Sequence, residues 1–569
     1  MPVQQRIFAV LILAAGALAC TWQLTDDPDT FWHLATGRAA VQLHSTLPLD
    51  VFSSSFHGHP WLGKDLLADL LLYEAHALAQ WQGLAILLAL LLTLGATAFA
   101  AHVQTSTWLL AGGLWLGAVE ITATPRSRLF STILLPILLA LIDRARRLRG
   151  PAWLLPGAVT GLWLLLHRGG VVGLGILACA LALEVWQTRA WRWPLLALTW
   201  ALLLALLHPD GPQVWTTVLH LAASSQYRLL VSEFQPLTLH QALQAFPLTL
   251  TLAILAGLFA LFSLRRGAES RERWLAFVLL LTLLLAGRTP RGMPLLAGAA
   301  VFLLTPWLDR ALLLLRWPLA RVSLALVLGG AAILSQRTRP FGVGPDPLTA
   351  ATPAIAFATE HHFGKNVMNP LHFGGQLLYA GFAPVIDGRN DQVYPEAFFV
   401  RNAAATHSPM EFDALTQEFP PDWVLTANPG PGEAFGFLAQ NPQSNPQSDL
   451  QSNPQWKLVL WTRAAAIYLP RNQRPELPPI QLLQPADPLG SVLKATQDPQ
   501  KVQQIQEELR RTIQDNPQDP LPRVWLVMHL HLRGLRQARD AELTTLVHAY
   551  PDAPEVLKLL QILRQNPHS

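Results

Sequence analysis

The feature of this sequence that most limits its fold is a series of apolar runs separated by short polar connections. Of the 569 residues, 51% are hydrophobic and only 14% are charged, which is too apolar for a soluble protein. Because several runs approach the roughly 20 residues that cross a bilayer as a helix, the pattern predicts a mainly α, polytopic membrane domain over residues 1–335. We expect about eleven transmembrane helices, the first of them uncleaved. The runs lie at roughly 7–23, 83–102, 107–122, 129–142, 152–166, 171–186, 194–207, 246–263, 274–287, 293–307 and 318–334.

The arginines predict how this domain is oriented. Residues 65–80 place acids beside a leucine face, which favours an amphipathic helix lying in the membrane interface over a span. If that helix does not cross, the most arginine-rich connections share one side, which the positive-inside rule makes cytoplasmic. The first extracytoplasmic loop is then 24–82, and everything beyond residue 336 is extracytoplasmic. The arginine clusters are explained by topology, so no nucleic-acid partner is predicted. The four arginine-rich connections predicted to be cytoplasmic are 143–149, 189–192, 265–273 and 309–316.

Beyond the last apolar run the composition predicts a soluble part. Residues 345–470 contain strand candidates at 382–389, 423–425 and 456–460, which predicts a soluble extracytoplasmic α/β domain. The repeated Asn-Pro-Gln-Ser pattern at 441–455 cannot bury a core and predicts a disordered insert. Residues 487–569 place Pro517 and Pro551 34 positions apart between amphipathic helices, which is the tetratricopeptide period. We expect a short helical repeat tail that could hold a protein partner.

Three acids, Asp26, Asp27 and Asp29, directly follow the first apolar run, so they lie at the membrane boundary. One interpretation is that Asp26 and Asp29 cap an interfacial helix that begins near Pro28. The other is that clustered, partly desolvated carboxylates act as a general base or hold a divalent cation such as Mg or Mn. The residues by themselves leave both interpretations open.

The surrounding motif narrows the choice of function. Residues 27–38 read Asp-x-Asp-x-x-Trp-His-x-x-x-Gly-Arg, and this arrangement after the first helix resembles bacterial members of the GT-C superfamily of integral-membrane glycosyltransferases. The resemblance extends to Thr-Pro-Arg at 124–126 and to the segment 163–170. It departs at Leu166, where an Asn commonly precedes the histidine, and at 208–211, where His-Pro-Asp-Gly replaces Asn-Pro-aromatic-Gly.

The resemblance implies a polyprenyl-phosphate sugar donor and transfer of the sugar outside the cytoplasm. Asp27 and Asp29 would be the catalytic or metal-facing pair. The reaction displaces a lipid phosphate from an anomeric carbon, so it needs a carboxylate to take the acceptor proton and cations to stabilise the departing phosphate. Arginine suits phosphate oxygens, although interfacial arginines also contact lipid headgroups. The predicted substrate-binding residues are His33, Arg126, Arg128, His167, Arg168, Arg288 and Arg291.

The two histidines in this set, His33 and His167, have a second interpretation as hydrogen-bonded structural residues, because each lies beside bulky apolar neighbours. The function of the whole chain also has two interpretations. It is predicted to be a glycosyltransferase of the bacterial inner membrane that uses a lipid-linked sugar donor. The alternative is a non-catalytic membrane scaffold or assembly subunit that binds a protein partner through its soluble tail. The sequence leaves the sugar, the acceptor and any metal dependence open.

Overall fold

A computed structural model describes residues 3–100, 103–213, 216–217, 224–265, 270–337, 339–427, 455–484, 487–551 and 553–565. The insert predicted at 441–455 lies outside these residues except for Gln455. The chain divides into two compact units. Unit 1 contains Met1–Leu49, Pro60–Gly344 and Asp391–Val393, and unit 2 contains Asp50–His59, Pro345–Asn390 and Tyr394–Ser569.

Unit 1 is helical, and every apolar run predicted from the sequence forms a helix in it. Its described helices are α1 Val3–Thr21, α2 Asp29–Leu43, α3 Leu66–Thr97, α4 Thr105–Val119, α5 Arg128–Leu148, α6 Leu154–Leu166, α7 Gly170–Thr188, α8 Arg192–Ala205, α9 Ser225–Leu230, α10 Leu239–Ala245, α11 Pro247–Arg265, α12 Ser270–Arg288, α13 Met293–Leu313 and α14 Pro318–Gln336. Short 3-10 turns at Ser232–Phe234 and Pro290–Gly292 join some of them.

Six of the described helices are long and apolar enough to cross a membrane, which makes this an integral membrane protein. Two shorter apolar helices, Gly150–Leu166 and Arg192–Ala205, accompany them. The expected count of about eleven spans exceeds these six and stays a prediction for the remaining helices. The six are Val3–Thr21, Leu66–Ala100, Gly170–Thr188, Pro247–Arg265, Pro290–Leu313 and Pro318–Gln336.

A break in α3 separates the segment predicted to be amphipathic from the apolar run that follows it. Ala79 and Gln80 have non-helical backbone angles, and Gln80 adopts a φ of 51°. The turn brings the carbonyl oxygen of Ala75 to 2.0 Å from where a Cβ on Gly83 would stand, so only glycine fits there. The parts of α3 before and after Ala79 and Gln80 are therefore two separate helical segments.

Small residues let the helices of unit 1 approach closely, as is usual for helices packed within a membrane. A Cβ on Gly113 of α4 would lie 2.7 Å from the Cα of Gly329 in α14, and one on Gly117 would lie 2.5 Å from the carbonyl oxygen of Ala332. These backbones are in direct contact, so α4 and α14 form a tight pair. A larger side chain at Gly113 would force them apart.

Unit 2 contains a five-stranded mixed sheet in the order β2-β1-β3-β5-β4. β1 pairs in parallel with β2 and β3, whereas β5 runs antiparallel to β3 and β4. The strands are β1 Asn366–Met368, β2 Ala383–Pro384, β3 Trp423–Ala427, β4 Trp456–Trp461 and β5 Ala465–Pro470. The helices are α15 Thr352–Glu360, α16 Leu371–Ala380, α17 Glu396–Ala405, α18 Pro409–Glu418, α19 Pro488–Gln497, α20 Val502–Asp515, α21 Pro520–Leu532, α22 Arg536–Ala549 and α23 Pro554–Gln565.

The last helices of unit 2 pack on its sheet. The carboxylate of Glu508 accepts the backbone N–H groups of 481–483, and Arg511 donates to the carbonyl oxygen of Val459 in β4 at 2.6 Å. Pro517 lies between α20 and α21, and Pro551 lies between α22 and α23. The tetratricopeptide-like character of this tail and its protein partner stay predictions.

A buried ion cluster joins the segment 50–59 to the rest of unit 2. The guanidinium of Arg389 contacts Asp387 at 2.7 Å and Asp50 at 2.5 Å, and all three side chains are fully buried. Tyr394 donates its hydroxyl to Asp387 at 2.5 Å. Since Asp50 also accepts from Ser53, its oxygens are occupied by structural partners.

Candidate active site

Asp27 lies in the loop between α1 and α2, where it is buried and surrounded by donors. One oxygen accepts the backbone N–H of Asp29 at 3.0 Å, and the other accepts the hydroxyl of Thr124 at 2.6 Å. Arg126 Nη1 is 3.1 Å from both oxygens. Burial raises the pKa of Asp27, but Arg126 and Thr124 outweigh burial and lower it below its ordinary value. Asp27 is therefore an ionised, fully engaged carboxylate.

Asp29 is the first residue of α2 and has a different environment. One oxygen accepts the indole N–H of Trp32 at 3.1 Å, and the other is 3.2 Å from Arg126 Nη1. Its side chain is 21% exposed, whereas that of Asp27 is 7% exposed. Burial raises the pKa of Asp29, and the negative charges of Asp27 and Glu233 add to this effect against the opposing charge of Arg126. Asp29 is the better placed of the two carboxylates to exchange a proton with a ligand.

The capping interpretation explains little of this arrangement. The N-cap of α2 is Pro28, which has no side-chain cap, and Asp26 is exposed. Asp27 does accept one backbone N–H of the first turn. Its remaining contacts reach Thr124 and Arg126, about 100 residues away along the chain. A cap alone needs no such partners.

Arg126 links these carboxylates to a third acid that the sequence analysis missed. Its Nη2 atom donates to both carboxylate oxygens of Glu233, at 2.9 and 2.8 Å. Glu233 lies in the 3-10 turn Ser232–Phe234, between α9 and α10. It is the single acidic residue of the segment 212–245. That isolation was the available signal, because no other acid of this connection can share its role.

Two more predicted arginines, Arg128 and Arg291, surround Glu233. Arg291 donates to it through Nε at 3.0 Å and Nη2 at 2.6 Å, and Arg128 Nη1 is 3.7 Å away. The hydroxyl of Thr289 donates to the backbone carbonyl of Glu233 at 2.7 Å. Burial would raise the pKa of Glu233, but the arginines hold it well below its ordinary value. One carboxylate thus occupies a site built from three guanidinium groups.

His33 of α2 contacts the residues beside this cluster and none of the ion pairs within it. Its Nδ1 is 2.5 Å from the carboxylate of Asp69 in α3, its Nε2 is 3.4 Å from the backbone N–H of Ser127, and the side chain is buried. The ring stacks on Trp32, with 3.7 Å between ring centroids. These contacts favour the structural interpretation of His33, since it joins α2 and α3 to the segment that carries Arg126 and Arg128.

His167 follows α6, and its hydrogen bonds give it a defined tautomer. Trp163 donates its indole N–H to the hydroxyl of Ser131 at 2.7 Å, and Ser131 is 2.7 Å from His167 Nδ1. The backbone N–H of Gly169 also donates to Nδ1, so this atom is an acceptor and the ring proton resides on Nε2. Burial lowers the pKa of His167 to about 4. His167 is therefore a neutral donor and cannot serve as a base through Nδ1.

Arg168 belongs to a neighbouring network in unit 1. Its Nη1 is 2.9 Å from Asp391, and its backbone N–H donates to Asp65 at 3.2 Å.

The segment 208–211, where the sequence departs from the pattern it otherwise resembles, has a structural role. Asp210 pairs with Lys64 at 2.5 Å and accepts the backbone N–H of Gly63 at 2.7 Å. The charged replacement is thus compensated by a lysine that sequence reasoning missed.

Arg288 stands apart from the other predicted residues. It is exposed at the end of α12, and none of the ion pairs formed by the described residues includes it. The structure brings together Asp27, Asp29, Arg126, Arg128 and Arg291, with Glu233 added.

A divalent cation at Asp27 and Asp29 would compete with the guanidinium of Arg126, which lies between the two carboxylates. The described residues contain no group of three or more His, Cys, Asp or Glu side chains placed to hold a metal ion. As arranged, these two carboxylates do not fit a metal ion, because Arg126 already binds both of them.

The architecture has counterparts among solved structures. The oligosaccharyltransferase of Archaeoglobus fulgidus in its apo form aligns with 82% of this chain and 74% of its own, at a TM-score of 0.53 and 11% sequence identity. The oligosaccharyltransferase AglB of Archaeoglobus fulgidus, in complex with an inhibitory peptide and a dolichol-phosphate, aligns with 85% of this chain and 76% of its own, at a TM-score of 0.51 and 12% identity. No protein-family model matches the sequence, and no curated protein matches it significantly. The structural similarity confirms the GT-C-like fold that the motif at 27–38 predicted.

Proposed function

We propose that this chain, which has the fold of the GT-C membrane glycosyltransferases, transfers a sugar from a polyprenyl-phosphate donor to an acceptor on the extracytoplasmic face of the membrane. The observation that carries the proposal is a partly exposed carboxylate, Asp29, beside three arginines gathered on a single acid. A base and an anion site are the two elements that glycosyl transfer from a lipid phosphate requires. The lipid phosphate bound by one of the similar structures agrees with this donor class.

In the proposed reaction Asp29 accepts the proton of the acceptor hydroxyl or amide group. The acceptor atom forms a bond to the anomeric carbon while the bond between that carbon and the phosphate oxygen breaks. The electron pair of the broken bond leaves with the lipid phosphate. The products are a glycosylated acceptor, a lipid phosphate and a protonated Asp29, so atoms and charge balance.

The three arginines stabilise the negative charge that builds up on the departing phosphate. Arg126, Arg128 and Arg291 suit this role because guanidinium groups bind phosphate oxygens through paired N–H donors. Arg126 also holds Asp27 and Asp29, so it couples the anion site to the base. Asp27 keeps Arg126 in place and remains ionised throughout.

The remaining predicted residues have supporting roles in this proposal. His33 and His167 position the segments that carry the arginines. Arg168 stabilises the adjacent connections through Asp391. Arg288 is a surface residue that we expect to be dispensable, because it lies outside the ion-pair network.

The test compares Asp29→Asn with Asp26→Asn. Both substitutions remove one carboxylate charge from the segment 26–29, but Asp26 is exposed and lies outside the cluster. Losing a general base costs on the order of 10² to 10⁴ in rate, so Asp29→Asn should abolish most sugar transfer while Asp26→Asn retains it. Transfer is measured as the surface glycan profile of a strain carrying each variant at equal protein level. An unchanged profile with Asp29→Asn would refute the enzyme proposal and leave the scaffold alternative.

A further inference from the structure

A second arginine-lined site lies at the other end of α5. Arg128 begins this helix and Arg147 stands in its last turn, which places them about 28 Å apart along the helix axis. That length is close to the roughly 30 Å hydrocarbon core of a bilayer. A cavity of about 320 Å³ opens beside Arg147, on the side predicted to be cytoplasmic, and is lined by both charged and aromatic groups: Phe99, Asp143, Arg147, Arg271, Phe302 and Arg310.

A larger, mostly apolar cavity of about 650 Å³ adjoins the first one and shares Ala98 and Arg147 with it. Its other walls come from the end of α3 and from the second half of α5, with Leu94, Ile137 and Leu141 among the lining residues. A polar chamber and a mainly apolar groove thus lie side by side and share two wall residues. The two together match the two parts of an amphiphile, a headgroup and a hydrocarbon chain.

The charges of the polar chamber favour an anion. Asp143 is shared by Arg271 at 2.8 Å and by Arg147 at 3.2 Å, so one carboxylate faces two guanidinium groups. The second acid, Asp309, is engaged by the hydroxyl of Thr107 at 2.6 Å. Arg310 adds a third positive charge to the same chamber. Three arginines against two engaged carboxylates leave a positive surplus that a phosphate can neutralise.

The chamber is formed by the helices and extends inward from their surface. Phe99 and Phe302 in its wall are buried, whereas Arg147 and Arg271 are 43% and 34% exposed. The arginines therefore stand at the entrance and the apolar walls lie deeper. Basic pockets between membrane helices are known to take the headgroups of anionic phospholipids.

We propose that these two adjoining cavities bind an anionic phospholipid. Asp143 contacts Arg147 through Nη1 and Arg271 through Nε, so the phosphate binds beside it, on Nη2 of Arg147 and on the Nη atoms of Arg271 and Arg310, with an acyl chain along Ile137 and Leu141. A free phosphate would use only the polar chamber and would leave the apolar groove without a role. The inference stands independently of the proposed glycosyltransferase function, because none of these residues belongs to the Asp29 cluster.

The experiment measures which lipids remain bound to the purified full-length protein. The protein is incorporated into nanodiscs of phosphatidylcholine that contain a minor fraction of phosphatidylglycerol, and the retained lipid is identified by native mass spectrometry. We expect selective retention of phosphatidylglycerol. In the double variant Arg147→Gln, Arg271→Gln the affinity should be roughly 30-fold weaker, since each basic residue contributes about a factor of five.

The matched control is the double variant Arg192→Gln, Arg316→Gln. Both arginines are exposed on the same predicted side and line neither cavity, so the same charge is removed and retention should persist. Ala140→Trp fills the apolar groove without changing charge and should also abolish retention. It keeps the test decisive if the arginine double variant fails to fold.

Several results would overturn the proposal. The first is equal retention of phosphatidylglycerol and phosphatidylcholine. The second is retention by Ala140→Trp at the level of the unmodified protein. The third is competition by inorganic phosphate alone, or preferential retention of an added prenyl phosphate, because either would assign the chamber to a different anion. Since sugar transfer is not measured, failure here leaves the proposed function unaffected.

Discussion

Glu233→Gln tests whether the three-arginine site receives the donor phosphate. In the structure Glu233 accepts four hydrogen bonds from Arg126 and Arg291 and lies 3.7 Å from Arg128. A phosphate that enters this site needs the same N–H groups. The side chain therefore competes with the donor, and weakening its hold should strengthen binding of the lipid phosphate.

The magnitude follows from the bonds that the substitution changes. An amide keeps one oxygen acceptor but loses the charge, so at least one charge-assisted hydrogen bond is lost from the unliganded state. Such a bond is worth about 1.5 to 3 kcal/mol. Because tenfold in affinity corresponds to about 1.4 kcal/mol, Glu233→Gln should bind a lipid phosphate roughly 10- to 100-fold more tightly.

The assay titrates the purified protein in detergent with a short-chain prenyl phosphate and measures binding by a change in intrinsic fluorescence or by calorimetry. Asp26→Asn is the matched control, because it removes an exposed charge three residues before Asp29 without touching the arginines. Its affinity should equal that of the unmodified protein. Equal or weaker binding by Glu233→Gln would refute the idea that this carboxylate occupies the phosphate site.

Two further predictions concern topology and stability. Reporter fusions after Arg149 and after Gln336 should report opposite sides of the membrane, because the arginine-rich connection 143–149 is predicted to be cytoplasmic; the same side for both would contradict the orientation. Arg389→Met should destabilise unit 2 by about 3 to 5 kcal/mol in thermal or denaturant unfolding, because Asp50 and Asp387 would stay buried without a cation. Arg401→Met, which removes an exposed pair with Glu418, should cost less than about 1 kcal/mol, and equal losses would contradict the role of the buried cluster.

The sequence predicted the helices well because their signal is local. Each apolar run needs only its own residues to be recognised, and every predicted run is helical in the structure. The sheet was harder to predict. β2, β3 and β4 coincide with the strand candidates at 382–389, 423–425 and 456–460, whereas β1 and β5 were not predicted. β1 has only three residues, which is too short for an alternating pattern, so its place depends on parallel pairing with strands elsewhere in the chain.

Five of the six clustered residues were predicted from the sequence, and the sixth, Glu233, was found only through tertiary contacts. Asp27 and Asp29 lie two positions apart, so the family pattern identifies both. Glu233 meets Arg126 across 107 residues, and Asp210 meets Lys64 across 146. No local pattern encodes such distances. Glu233 as the single acid of the segment 212–245 is the trace that this partner leaves in the sequence.

The pH dependence of transfer separates a catalytic Asp29 from a structural one. A general base must be deprotonated to act. kcat/KM should therefore be low at pH values below the pKa of Asp29 and should rise with pH as Asp29 loses its proton. Burial and the charges of Asp27 and Glu233 raise the pKa of Asp29 above its ordinary value, so the acidic limb should lie above the pH of about 4 at which a free aspartate titrates.

Removing either neighbouring charge should move that limb in a known direction. In Asp27→Asn and in Glu233→Gln one negative charge near Asp29 is lost, and Arg126 has one carboxylate fewer to neutralise. Both effects favour the ionised form of Asp29, so its pKa falls and the acidic limb shifts to lower pH in each variant. Asp26→Asn should leave the limb in place. A structural Asp29 would change the amount of folded protein but not the midpoint of the profile, and a shift to higher pH in either variant would contradict the assignment of Asp29 as the base.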